Sequence, residues 1–172
     1  MGFFDLFKKK QIVAPVENAA LPQPENMTDF LIALDGRISQ KCNYGDEIEK
    51  LNECEKTFFL TQALEAEINN GGFSQFFFNS AGNFAYETVT AFEAIGAVKT
   101  ANICRKAIAS FGKKIPKDRG KRMDFLDEYE DDVSDILNEC DDAFFEYEED
   151  LNQLNFDYIA KHQAFFDLKD LI

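Results

Sequence analysis

Asp124-Phe-Leu-Asp-Glu-Tyr-Glu-Asp-Asp-Val-Ser-Asp-Ile-Leu-Asn-Glu-Cys-Asp-Asp-Ala-Phe-Phe-Glu-Tyr-Glu-Glu-Asp150 carries its apolar residues at three- and four-residue steps. Leu126, Tyr129, Val133, Ile136, Leu137, Cys140 and Phe144 keep the period of a helix and not the alternation of a strand. The same window holds fourteen Asp and Glu and no Lys or Arg. The formal net charge of the whole chain is −14, and the remaining residues have eighteen acids against eighteen bases. The acidic bias therefore belongs to one segment, and that segment has to be explained.

On a continuous helix, Asp124, Asp127, Glu128, Asp131, Asp132, Asp135, Glu139, Asp142, Glu146 and Glu149 form a row with about one carboxylate or more per 5.4 Å turn. Like charges at i, i+4 weaken a helix by a few tenths of a kcal/mol per pair, so an uncompensated row costs stability. A DNA strand carries a phosphate about every 3.4 Å. A carboxylate row is a coarse copy of that array, and a partner that neutralises phosphates with Lys and Arg would accept it. The plain alternative is a solvated acidic face that confers solubility. Divalent-cation binding is a third reading. Against it, no Asp-x-Asp-x-Asp-Gly loop is present, and a straight helix does not wrap six oxygens around Ca²⁺.

Working outward, 45% of the 172 residues are hydrophobic, which suits one globular domain with a real core. Phe occurs nineteen times, often as neighbours such as Phe58–Phe59, Phe144–Phe145 and Phe165–Phe166. Adjacent helical residues lie about 100° apart, so such pairs suit helices buried among several others. The pattern predicts helices over 28–42 with Thr28 as cap, 47–69 capped by Asp46, 73–79, 84–95, 97–111, the acidic segment, and 153–167. Lys113 to Lys121 reads as a basic loop. The expected fold is all-α, a compact bundle of about six to eight helices, with a single domain at 27–172.

Residues 1–26 read as an N-terminal segment and linker. Met1 to Lys10 is a short apolar stretch with a basic tip, and Pro15, Pro22 and Pro24 mark the linker. No apolar run is long enough to span a bilayer and no secretory signal is present, so stable membrane insertion is not expected. Cys42, Cys54, Cys104 and Cys140 fall on apolar helical stripes without metal spacing. They read as buried reduced thiols, in keeping with a cytoplasmic protein.

A second constellation runs Glu67-Ile-Asn69-Asn70-Gly71-Gly72-Phe73-Ser-Gln75-Phe76-Phe77-Phe-Asn79-Ser80-Ala-Gly82. Either Asn69, Asn70, Gln75 and Asn79 form a polar binding site, or the stretch is structural. In the structural reading Gly71 and Gly72 turn the chain, the Phe residues plug the core, and Asn79 and Ser80 cap neighbouring helix ends. It lacks the spacing of a phosphate-binding loop.

This stretch resembles the acidic DNA-mimic protein family, also catalogued as a bacterial domain of unknown function. The likeness continues through Ala91-Phe92-Glu93-Ala94-Ile95-Gly96-Ala97 to Tyr158-Ile159-Ala160-Lys161-His162-Gln163 and covers about residues 28–167. It implies an all-helical fold. From the characterised member it implies dimerisation and binding to a helix-turn-helix transcription factor in place of DNA. The motif residues carry over as family markers and not as binding residues.

No nucleophile–base pair, metal-ligand set or cofactor motif is recognisable, and His162 is the only histidine. No catalytic residue, metal or cofactor is expected, and the chain reads as a binding protein. A concave pocket with converging polar groups around Asn69–Asn79 would revive an enzyme. The expected partner is a basic protein, such as a helix-turn-helix regulator or a nuclease toxin, with no direct contact to nucleic acid and with a homodimer possible. The alternatives are a toxin-neutralising immunity protein and a helical domain with no mimic role.

Overall fold

Helix ends in this chain are set by short polar side chains. In the computed structural model, which describes residue 21 and residues 25–171, the elements are α1 (Met27–Lys41), α2 (Glu53–Phe78), α3 (Ala85–Ile95), α4 (Val98–Ser110), α5 (Arg119–Phe145) and α6 (Leu151–Lys161). Single 3-10 turns at Asn43–Gly45, Ile48–Lys50, Ser80–Phe84 and Gln163–Phe165 connect or follow them. The fold is all-α, and no strand occurs among the described residues. Among them, too, no helix is long and apolar enough to cross a membrane. The opening stretch 1–10 and most of the proline-marked linker lie outside the described residues.

The caps correct two expected boundaries. Asn26, not Thr28, starts α1, by accepting the Asp29 N–H at 3.2 Å. Asn52, not Asp46, starts α2. Its side chain accepts the N–H groups of Cys54 and Glu55, while the Glu55 carboxylate takes the Asn52 N–H. This reciprocal box satisfies more of the orphan N–H groups than a lone aspartate does. Tertiary contacts favour it further. Glu55 is 4% exposed and pairs with Lys41 at 2.6 Å, and the Asn52 amide donates to the Phe165 carbonyl at 2.7 Å.

The break expected after Asn70 is real but local. Gly71 and Gly72 leave helical geometry, with Gly72 at φ +72°, and the helix resumes at once to Phe78. The basic loop is shorter than expected, because Asp118 caps α5 and Arg119 to Lys121 already form its first turn. The acidic helix ends at Phe145, so Glu146 to Asp150 leave it. The last helix ends at Lys161 rather than 167.

Two apolar clusters share the long α2. One gathers Phe73, Phe76, Phe77, Phe92, Phe111, Val133, Leu137 and Phe144 between the second half of α2 and α3, α4 and α5. The other gathers Phe30, Leu34, Ile38, Phe58, Phe156 and Ile159 between α1, the first half of α2 and α6. Edge-on ring contacts link Phe77 to Phe111 and Phe30 to Phe156. Burying each such ring contributes roughly 1.5–3 kcal/mol. Cys42, Cys104 and Cys140 are buried and Cys54 half-buried, all as free thiols.

Candidate functional site

The Asn–Gly–Phe stretch is organised by a residue that the sequence reading counted only as a charge. Arg122, in the first turns of α5, is fully buried. Its Nε donates to the Phe77 carbonyl at 2.6 Å, and Nη1 donates to the carbonyls of Pro116 and Lys117. Nη2 donates to the Asn79 carbonyl and to Oδ1 of Asn83, both at 2.8 Å. No carboxylate pairs with it among the described residues. Burial pushes its pKa down, and the nearby Arg119 adds to this. Five neutral acceptors hold the cation instead. Gly82 completes the cage: a Cβ there would lie 2.7 Å from the Phe76 carbonyl oxygen and 3.0 Å from Arg122 Nε.

The motif amides do not converge on one site. Asn69 bonds the Tyr147 hydroxyl at 2.9 Å, and Asn70 is exposed. Gln75 and Asn79 both donate to Oε2 of Glu67, at 2.7 and 2.8 Å. Phe73, Phe76 and Phe77 fill the core as the structural reading expects. The capping roles need correction. Asn79 closes α2 through its backbone N–H to the Gln75 carbonyl, while neither its side chain nor that of Ser80 caps a helix. The Asn79 side-chain amide is taken up by a carboxylate twelve residues back instead. A cavity does open beside Glu67, Phe76 and Ser80, but Asn69, Asn70, Gln75 and Asn79 do not line it.

The acidic segment divides by role. Asp124, Asp127, Glu128, Asp131, Asp132, Asp135, Asp142 and Glu146 are exposed. At about 100° per residue they fall within an arc of roughly 140°. The apolar residues from Leu126 to Phe144 occupy the opposite side. Among the described residues none of these eight carboxylates takes part in an ion pair. Three cations of the basic segment before them are bonded to other groups. Lys113 reaches the Tyr129 hydroxyl, Lys117 pairs with Glu87, and Arg119 donates to the Phe78 carbonyl and stacks on its ring.

Five further acids, Glu139, Asp141, Glu148, Glu149 and Asp150, are engaged, which narrows the expected row. Glu139 pairs with Lys106 at 2.7 Å, and that ammonium holds its carboxyl below the usual range. Glu149 is half-buried at the start of α4, where it accepts the N–H groups of Lys99 and Thr100 and the Thr100 hydroxyl. Burial opposes ionisation of Glu149, but these donors outweigh it and hold its pKa down. Glu148 pairs with Lys99, and Asp150 caps α6. Asp141 faces inward and accepts the Phe73 N–H at 2.7 Å, with burial pushing its pKa up. Helix phase separates Asp141 from Asp142, but the sequence reading did not use it for single acids.

Residues 49–162 match the family model described as DMP19-like protein. The matched stretch takes in α2 to α6 and leaves out α1. No curated protein and no solved structure matches the chain.

Proposed function

The chain belongs to the DMP19-like protein family, and from that premise we propose that it binds a basic protein surface, that of a DNA-binding regulator, by offering α5 carboxylates where DNA offers phosphates. One observation carries this reading: seven exposed acids on one side of a single helix and Glu146 just past its end, without ion-pair partners among the described residues. An exposed charge pair contributes only about 0.2–1 kcal/mol, so no single carboxylate would matter much. A patch of eight acts together, through the summed potential that steers a cationic partner and through displaced counterions. The opposite side of α5 is anchored in the core, which keeps the patch ordered before binding. The resemblance to acidic DNA mimics points the same way.

The test is capture of a basic partner from the native host at low salt, with elution by rising salt. Changing Asp131, Asp132 and Asp135 together to Lys should abolish capture while the helical circular-dichroism spectrum is kept. Glu139→Lys should have a smaller effect, because Lys106 already neutralises that position. A folded triple variant that still captures the partner would remove α5 as the site. Recovery of a nuclease toxin instead of a regulator would make this an immunity protein that uses the same patch.

A further inference from the structure

Between α1, the turn after it, α2, the Ser80–Phe84 turn and the start of α3 lies a cavity of about 310 Å³, near the lower end of the range for small-molecule pockets. No residue of α5 lines it, so it is separate from the acidic patch. Phe59, Phe76 and Phe84 supply apolar walls. The polar lining is one-sided: Asp35, Asp46 and Glu67 are present, with no Lys, Arg or His.

The hydrogen-bond inventory leaves capacity unused. Asp35 is half-buried, and its side-chain bond is from the Ser39 hydroxyl at 3.5 Å, the limit of a useful contact. Both amide donors that reach Glu67 land on Oε2, and neither uses Oε1. Gln62, also in the lining, has its Nε2 buried and without an acceptor among the described residues. A buried donor left unpaired is unfavourable and calls for an oxygen to fill the place.

We propose that this cavity binds a small organic cation: an ammonium head against Asp35 and Glu67, a short hydrocarbon body against the phenylalanines, and one oxygen that accepts from Gln62. A free amino alcohol and a peptide-borne lysine, whose backbone carbonyl supplies the oxygen, share this chemistry. Carboxylates in partly apolar surroundings attract an ammonium more strongly than they do in open water. A neutral ligand of the same shape would leave them unmatched.

The test uses the full chain and four probes: 5-aminopentan-1-ol, pentane-1,5-diol, n-pentylamine and Nα-acetyl-lysine methylamide. Calorimetric titration should show 5-aminopentan-1-ol binding at least about tenfold more tightly than the diol and more tightly than pentylamine, with tenfold corresponding to 1.4 kcal/mol. Binding of the lysine derivative as well would identify a peptide-borne lysine as an acceptable source, and its failure beside a bound amino alcohol would identify a free small molecule. Asp35→Asn should weaken binding at least tenfold, and Ala63→Phe, which fills the space, should remove it. Equal binding of amino alcohol and diol, or no binding of either cation, overturns the proposal. Should the variants fail to fold, the wild-type Gln62 side-chain amide resonance decides. It shifts on titration if the site is correct, and shifts confined to other regions refute it.

Discussion

The backbone N–H of Phe73 donates to Oδ1 of Asp141 at 2.7 Å, across the break at Gly71–Gly72 and between residues 68 positions apart. This bond joins the C-terminal part of α2 to the C-terminal part of α5. Asp141→Ala leaves a buried N–H without an acceptor and should cost about 1–3 kcal/mol in urea unfolding. Asp141→Asn keeps an acceptor and should cost less. Burial raises the Asp141 pKa above its ordinary 3.8, so its stabilising contribution is fully present below that value and is lost as pH rises through the raised one. The stability difference between wild type and the asparagine variant should therefore shrink with rising pH from about 3.8 upward. A difference that grows with pH refutes the assignment.

Arg122 should be the costliest single side chain to remove. Arg122→Met abandons five hydrogen bonds and leaves carbonyls at the α2 end unpaired, so a loss of about 3–5 kcal/mol is expected. Arg122→Lys keeps the charge with three donors and should recover part of it. Equilibrium urea curves for the two variants check the order.

Three glycines should respond differently to the same methyl. Gly82→Ala drives Cβ against two backbone carbonyls, 2.7 and 2.9 Å away, that cannot swing aside, and should cost about 1–3 kcal/mol. Gly72→Ala meets both a positive φ and the Asp141 carboxylate and should also destabilise. Gly36, inside α1, has nothing within 4 Å of its added Cβ. Gly36→Ala should raise stability by about 0.5–1 kcal/mol, read as a higher melting temperature.

Glu149 behaves in the opposite sense to Asp141. Its pKa is held below the ordinary 4.5, so its contribution is present above that value and is lost as pH falls through the lowered one. Glu149→Gln should cost about 0.5–2 kcal/mol near neutral pH, in the range of a lost helix cap. The gap to wild type should close on acidification below about 4.5. Thermal melts of both proteins across that range read the effect.

Added salt should stabilise the fold. The exposed acids of α5 repel one another along the helix, and screening relieves that repulsion. A melting temperature that rises with moderate sodium chloride is expected. Replacing Asp131 and Asp135 together with Asn should flatten the rise.

Helix period made the architecture legible. Leu126, Tyr129, Val133, Ile136, Leu137, Cys140 and Phe144 are all buried or half-buried. Helix ends were less legible, because Asp46 and Asn52 are both good caps. Contacts from Lys41 and Phe165, distant in sequence, favour Asn52. Arg122 shared the phase of Leu126, Tyr129 and Val133, and that phase was the available signal for its burial. Glu149 and Asp150 gave no such signal. Their partners are the starts of α4 and α6, and no spacing within the acidic segment reports on those.

Helix α5 is tied down near its start by Arg122, along its length by Asp141, and just past its end by Glu149. Anchors of this kind resist stretching or unwinding of the helix. Its exposed acids fall at uneven steps of about 1.5 to 10.5 Å along the axis, whereas the phosphates of a nucleic acid strand repeat about every 3.4 Å, and the two arrays coincide only at intervals. Selection among cationic visitors would then fall on the reach and freedom of their own side chains, favouring long, adjustable lysines over a rigid comb of arginines.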